Sequence, residues 1–299
     1  MGWILRKRTP GDVLFDAFIA AACIIVFLIV AYPLYFVVIA SVSDSTMVAT
    51  GKVWLWPKGF SLYGYNEIFD DTRIWRGYRN TILYTTLGTF VNLLFTLPAA
   101  YALSRREFRA RRFLMFVFVV TMFFSGGLIP TYLLIKGLGM TNTMWVFIFP
   151  FCVNVYNLII VRTFFETSLP RELYEAAAID GCGHFRFFWS VALPLSKAVI
   201  SVIGLYYAVA HWNDFFTALV YVRNNELQPL QIVLRDILLS NQVFQSGAGT
   251  GGQAGGYAQR YADQIKYGVI IVSTLPILLV YPFIQKYFEK GVMIGSVKG

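Results

Sequence analysis

The chain has 299 residues, 57% of them hydrophobic and 14% charged, with a mean hydropathy of +0.60 and a formal net charge of +9. A water-soluble domain usually carries about 25% charged residues, so this composition excludes an ordinary soluble protein and points to a membrane. The basic residues lie between apolar runs rather than in one dense patch, which excludes a nucleic-acid footprint and makes the charge a topology signal.

A helix needs about 20 residues to cross the hydrocarbon core. Five uncharged windows meet that length: 17–43, 80–104, 113–135, 137–161 and 267–285; a sixth, 198–213, continues as apolar sequence past Asp214 to Val222. The sequence thus predicts an all-α integral membrane protein with six transmembrane helices. The first window follows Arg6-Lys7-Arg8 as a signal peptide would, but its 27 uncharged residues are too many, and it reads as an uncleaved span. The first loop, 46–77, contains Trp54 and Trp56, which suit a headgroup boundary or a docking contact.

Prolines and glycines interrupt several windows: Pro98 in the second, Gly126-Gly127 with Pro130 in the third, and Pro276 with Pro282 in the sixth. Such breaks occur where neighbouring helices or a cavity satisfy the freed backbone groups. Lys and Arg total 15 in the N-terminus, the 104–112 loop, the 162–197 segment and the C-terminal tail, against 10 elsewhere. That excess places these segments and both termini in the cytoplasm. On the other side, the loop 223–265 carries a Gly-rich run, 247–256, of flexible-linker composition without a phosphate-binding pattern.

Ionisable side chains are scarce inside the windows. The exception is His211-Trp212-Asn213-Asp214, where His and Asp three apart share one helix face. The cluster reads either as polar lining for a hydroxyl-rich solute or as an interfacial group at a helix end. Asn92, Asn154 and Asn157 pose the same choice between pathway lining and helix-to-helix hydrogen bonding. Cys23, Cys152 and Cys182 are too scattered for a metal or disulfide framework, and with two histidines no metal site is expected. The windows contain no nucleophile and base pair, HExxH or paired carboxylates, which argues against a membrane-embedded enzyme.

The segment 166–195 stands apart. Pro170 suits a first helical turn, Glu172 and Glu175 lie early in the helix, alanines follow at 176–178, and Gly181 and Gly183 end it. A second helix bearing Phe185, Phe187, Phe188 and Trp189 then leads to Pro194 and the fifth span. By periodicity alone this is an amphipathic connector on the membrane surface.

The run EAAAIDG (175–181) followed by Leu193-Pro194 resembles the EAA motif of type I ABC importer permeases. The resemblance extends over nearly the whole chain, through Tyr78-Arg79-Asn80-Thr81, residues 124–132, His211-Trp212-Asn213, Pro229-Leu230-Gln231 and the tail 290–299, which look like carbohydrate-uptake permeases. Within that group the chain is most similar to subunits for uronate-rich oligosaccharides, such as the second permease of an alginate importer. Cys182 stands where Ala is commoner, and Ala198 where a Pro often follows.

The resemblance implies a core permease domain over 78–289, after a first unit over 1–45 and before a tail over 290–299. It implies a cytoplasmic coupling helix contacting an ATPase through Glu175, Ala176, Ala177, Asp180 and Gly181, with Pro194 at the entry to the fifth span. It implies no catalytic residue, metal or cofactor in this chain, since ATP and Mg belong to two partner ATPase subunits. The other partners are a second, related permease and an extracytoplasmic solute-binding protein that delivers an oligosaccharide. The site is the bacterial inner membrane. The competing reading, an ion-coupled secondary transporter of a polar solute, is disfavoured by the scarcity of intramembrane charge.

Overall fold

The computed structural model describes residues 10–245, 265–279 and 282, and every regular element among them is helical. In chain order these are α1 (Pro10–Ser41), α2 (Ser45–Ala49), α3 (Tyr63–Asp70), α4 (Thr72–Ser104), α5 (Arg111–Phe123), α6 (Leu128–Gly137), α7 (Val155–Ser168), α8 (Arg171–Ile179), α9 (His184–Leu195), α10 (Lys197–Trp212), α11 (Phe216–Tyr221), α12 (Leu230–Gln245) and α13 (Ile265–Leu279). Two of them, α1 and α4, are long and apolar enough to cross a bilayer alone. Two pairs reach that length only across a bend, α5 with α6 at 115° and α9 with α10 at 83°.

The expected break at Gly126-Gly127 is present: Phe124 turns extended and Gly127 adopts a φ of 82° before α6 begins. Three other expectations are corrected. Pro98 lies inside α4 without ending it, and Pro276 lies inside α13. The 137–161 window is not one helix. Asn142 and Phe151 adopt φ values of 58° and 59°, a 3₁₀ turn occupies Met144–Phe147, and α7 starts only at Val155 and runs on to Ser168. Average hydropathy cannot register this, because the turn signals are single residues: Asn142, Pro150, and Asn154, whose side chain caps α7 by accepting from the Asn157 N–H at 3.1 Å. The Gly-rich run and the 290–299 tail lie outside the described residues, as does most of the sixth window beyond 279.

Contacts divide the chain into two units, 1–70 with 238–272, and 71–237 with 273–299. In the first, the most apolar stretch of α1 is exposed all round, as expected of a helix that faces lipid rather than water. Only its C-terminal end is covered, where Ile39 and Ala40 pack on Val48 and Val53. Asp44 caps α2 by accepting from the Thr46 and Met47 N–H groups, and Tyr65 donates to Ser41 Oγ at 2.9 Å.

In the second unit α4 is the central post, against which α7 and α10 pack. The core joins Leu97, Ala100 and Tyr101 of α4 to Leu158 and Phe165 of α7, Phe187 and Phe188 of α9, and Val199, Ile203 and Tyr207 of α10. Lipid is as apolar as leucine, so between spanning helices close packing and hydrogen bonds carry association. The hydrogen bonds here fix register. Asn80 donates to the Glu226 and Gln228 carbonyls at 2.7 and 3.0 Å, and the Leu230 N–H donates to Thr81 Oγ1 at 2.8 Å. Two stretches that resembled the family separately in sequence, 78–81 and 229–231, therefore bind each other.

Candidate functional site

The segment 166–195 folds as two helices around a sharp turn. Pro170 takes the N-cap of α8, one position ahead of the first helical turn. α8 ends at Asp180, and Gly181 follows in the left-handed region with φ 75°, a conformation that favours glycine. Gly183 is the N-cap of α9. The Tyr174 and His184 rings stack across the turn at 4.5 Å and 8°, with a hydrogen bond of 3.0 Å between Tyr174 Oη and His184 Nε2, and Tyr174 meets Phe187 edge-on at 5.2 Å. The turn is thus pinned on its inner side.

The residues expected at a coupling contact divide between two faces. Glu175, Ala176, Asp180 and Gly181 are exposed, beside Ile179, which is 88% exposed. Ala177 packs inward against the core with Tyr174 and Cys182. Glu175 pairs with Arg171 at 2.8 Å, both groups well exposed. An exposed i,i+4 pair is worth only about 0.3–0.5 kcal/mol, so Glu175 can exchange this partner at little cost.

From the turn, α9 passes through a π turn over Phe188–Ala192 and an exposed Pro194, and bends by 83° at Ser196 into α10. Ser196 is fully buried, and its Oγ has no hydrogen-bond partner among the described residues. α10 then runs from Lys197 to His211, about 21 Å of helix. α9 and α10 thus lead from the exposed turn to a polar cavity.

That cavity holds about 280 Å³ and is lined by Asn92, Asn154, Tyr207, His211, Asp214 and Thr217, with apolar side chains around them. Asn92 Nδ2 donates to the Cys152 carbonyl at 2.7 Å, so its Oδ1 faces His211 Nε2 at 2.6 Å. An amide oxygen only accepts, so His211 Nε2 is the donor in this pair. Gly88 makes this possible: a Cβ there would lie 2.5 Å from the imidazole. Tyr207 bonds to Thr96 Oγ1 at 2.8 Å and accepts from the Asn154 N–H at 3.1 Å.

Four of the residues singled out in sequence, Asn92, Asn154, His211 and Asp214, thus share one cavity. The other three do not line it. Asn157 is buried at the start of α7. The Trp212 indole donates to the Ser273 carbonyl at 3.1 Å, and Asn213 is exposed and donates back to Val209 at 2.9 Å. His211 and Asp214 do not share a helix face, because α10 ends at Trp212; the Asp214 carboxylate accepts from the Thr217 N–H at 3.0 Å and starts α11. Tyr207 and Gly88 escaped the sequence reading, yet the signal was there. Gly88 and Asn92 are four apart on α4, and Tyr207 and His211 four apart on α10, each pair on one face.

A family model described as the binding-protein-dependent transport system inner membrane component matches residues 74–294. The chain belongs to that family. The permease is 43% identical over 267 residues to the protein LplC of Bacillus subtilis (strain 168), with 89% of each chain covered. It is 40% identical over 286 residues to the polygalacturonan/rhamnogalacturonan transport system permease protein YtcP of the same organism, covering 96% of this chain and 99% of that one. Among solved structures it is similar to a chain in the crystal structure of a bacterial ABC transporter involved in the import of the acidic polysaccharide alginate. The TM-score is 0.84 and the identity 31%, with 95% of this chain and 99% of that chain covered. The permease is a carbohydrate ABC transporter component of the inner membrane.

Proposed function

We propose that the permease forms half of the translocation pathway for an acidic oligosaccharide, delivered by an extracytoplasmic binding protein and driven by two partner ATPases. The observation that carries this reading is the exposed turn of Glu175, Asp180 and Gly181, joined by α9 and α10 to the cavity of Asn92, Asn154, His211 and Asp214. Glu175, Ala176, Asp180 and Gly181 form the contact surface on an ATPase subunit, Ala177 seats α8 from behind, and Pro194 marks the entry to α10. ATP and Mg are bound by those partners. A second, related permease supplies the other half of the path.

In this reading the chain crosses the membrane six times with both termini cytoplasmic, the first extracytoplasmic loop spans 46–77, and the core spans 78–289, ahead of the tail 290–299. Closure of the ATPases pushes the turn, and α10, continuous from Lys197 to Trp212, carries the motion beyond the bend at Ser196. The acidic substrate is supported by relatives, one a permease for polygalacturonan and rhamnogalacturonan and one a chain of an alginate importer. Asn92, Asn154, His211 and Asp214 offer donors and acceptors to sugar hydroxyls.

The test is ATP hydrolysis by the reconstituted complex with and without loaded binding protein. Gly181→Asp and Glu175→Lys leave the permease inserted but remove the stimulation, whereas undiminished stimulation in both refutes the coupling role. Screening the binding protein against neutral and uronic oligosaccharides tests the substrate, with preference for the uronic series expected.

A further inference from the structure

Two cavities flank the C-terminal end of α4, and Arg105 lines both. The larger, about 650 Å³, is walled mainly by apolar side chains, including Leu94, Pro98, Phe188 and Trp189. It follows α4 from Leu94 to Arg105, eleven residues or about 16 Å along the helix. The second, about 530 Å³, is lined by Arg105, Arg106, Arg111, Arg162 and Arg171 against Glu107, Glu166 and Glu172, a formal balance of +2.

Half of these charges are engaged in ion pairs. Glu166 holds Arg162 at 2.7 Å and Arg111 at 3.9 Å, and Arg171 pairs with Glu175. Arg105 is different. Its guanidinium lies over the Tyr101 ring at 4.5 Å and beside Phe187 at 5.6 Å, while its Nε and Nη2 are buried with no hydrogen-bond partner among the described residues. Stacking satisfies the face of the cation and leaves the Nε and Nη2 N–H groups without an acceptor among the described residues, a costly state for a charged donor.

We propose that the two cavities form one binding site for an anionic phospholipid, with its phosphate on the Arg105 edge and an acyl chain in the groove along α4. The inference rests on α4 being a membrane span. An apolar groove parallel to a span, ending at a basic pocket between helices, matches the shape and polarity of a lipid that lies alongside it. Five arginines in the eight residues 105–112 follow α4 directly, and such juxtamembrane clusters attract anionic headgroups. A free anion would leave the groove unfilled, and a neutral lipid would leave the net positive charge, +1 once Glu175 is set against Arg171, uncompensated. Glu107 lines both cavities and opposes the headgroup, so Glu107→Gln raises retention.

The experiment uses the assembled importer in mild detergent, titrated with phosphatidylglycerol or phosphatidylcholine of matched acyl chains, with bound lipid counted by native mass spectrometry. The wild-type complex retains phosphatidylglycerol preferentially. Arg105→Gln reduces that preference about fivefold, the effect of one arginine near a membrane surface. Ala102 lines the groove and is exposed, so Ala102→Phe fills it, leaves the arginines in place and abolishes retention of both lipids. If Arg105→Gln does not assemble, Ala102→Phe alone decides. Equal retention of the two lipids by the wild type, unchanged retention in Ala102→Phe, or displacement of the lipid by inorganic phosphate overturns the proposal.

Discussion

Replacing Gly88 with alanine adds one methyl group to α4 where His211 crosses it. Built on the backbone, that carbon falls 2.5 Å from His211 Cε1 and Nε2, about 1 Å inside ordinary contact distance. Because α4 is continuous from Thr72 to Ser104, the ring must yield, and such a shift breaks its 2.6 Å bond to Asn92. Overpacking costs about 1–3 kcal/mol, and a lost polar contact between membrane helices about 0.6 kcal/mol. Against this, alanine favours the helix over glycine by about 1 kcal/mol. The net destabilisation is about 1.6 kcal/mol at the midpoint, roughly fifteenfold in the unfolding equilibrium. Denaturant titration of the complex in mixed micelles measures it. In the His211→Ala background the clash is gone and only the helix preference remains, so the sign reverses and Gly88→Ala stabilises. Equal destabilisation in both backgrounds refutes the argument that His211 and Gly88 are in contact.

Two further outcomes follow from the described geometry. Ala176→Glu leaves thermal stability within about 0.5 kcal/mol of wild type but abolishes the binding-protein stimulation of ATP hydrolysis. Ala177→Glu crowds a carboxylate against Tyr174 and the core at a half-buried position, costing about 1–3 kcal/mol as for a poorly paired polar group, which a melting curve separates from the first effect. Asp71 accepts a bidentate hydrogen bond from Arg73 that holds its carboxyl below the usual aspartate range, opposed by partial burial. Its contribution is present above the unfolded value near pH 4 and is lost as pH falls through the lower folded value. The pair faces solvent, so the effect is only about 0.5 kcal/mol. An Asp71→Asn variant should lack this acid-side loss in a stability profile taken below pH 4.

The sequence made the all-helical class legible because spans of 20 uncharged residues have few alternatives, and it made the two helices and turn of 166–195 legible because charge, alanine and glycine interrupt apolar sequence there. Hydropathy windows failed where one residue redirects the chain. Asn142 turns the chain at a φ of 58° and Asn154 starts α7 inside an uninterrupted apolar run, while Pro98 lies exposed in α4, which continues through it to Ser104. The cavity was half legible. Polar residue type picked out Asn92, Asn154, His211 and Asp214, but it equally picked out Asn157, which is buried on α7, and Trp212 and Asn213, whose hydrogen bonds turn them elsewhere. Type reports that a side chain needs a partner; only the relative rotation of α4, α7 and α10 decides which partner it gets.

Two glycines described above carry opposite information. At Gly181 the space around a Cβ is empty, yet φ is 75°; at Gly88 the torsion is ordinary, and the space is full. One site therefore rejects side chains by handedness and the other by volume. A mirror-image alanine, introduced by semisynthesis, should be accepted at Gly181, where its natural counterpart is strained, and should fare no better than that counterpart at Gly88. The bend at Gly181 is a demand for chirality, while the crossing of α4 and α10 is a demand for room.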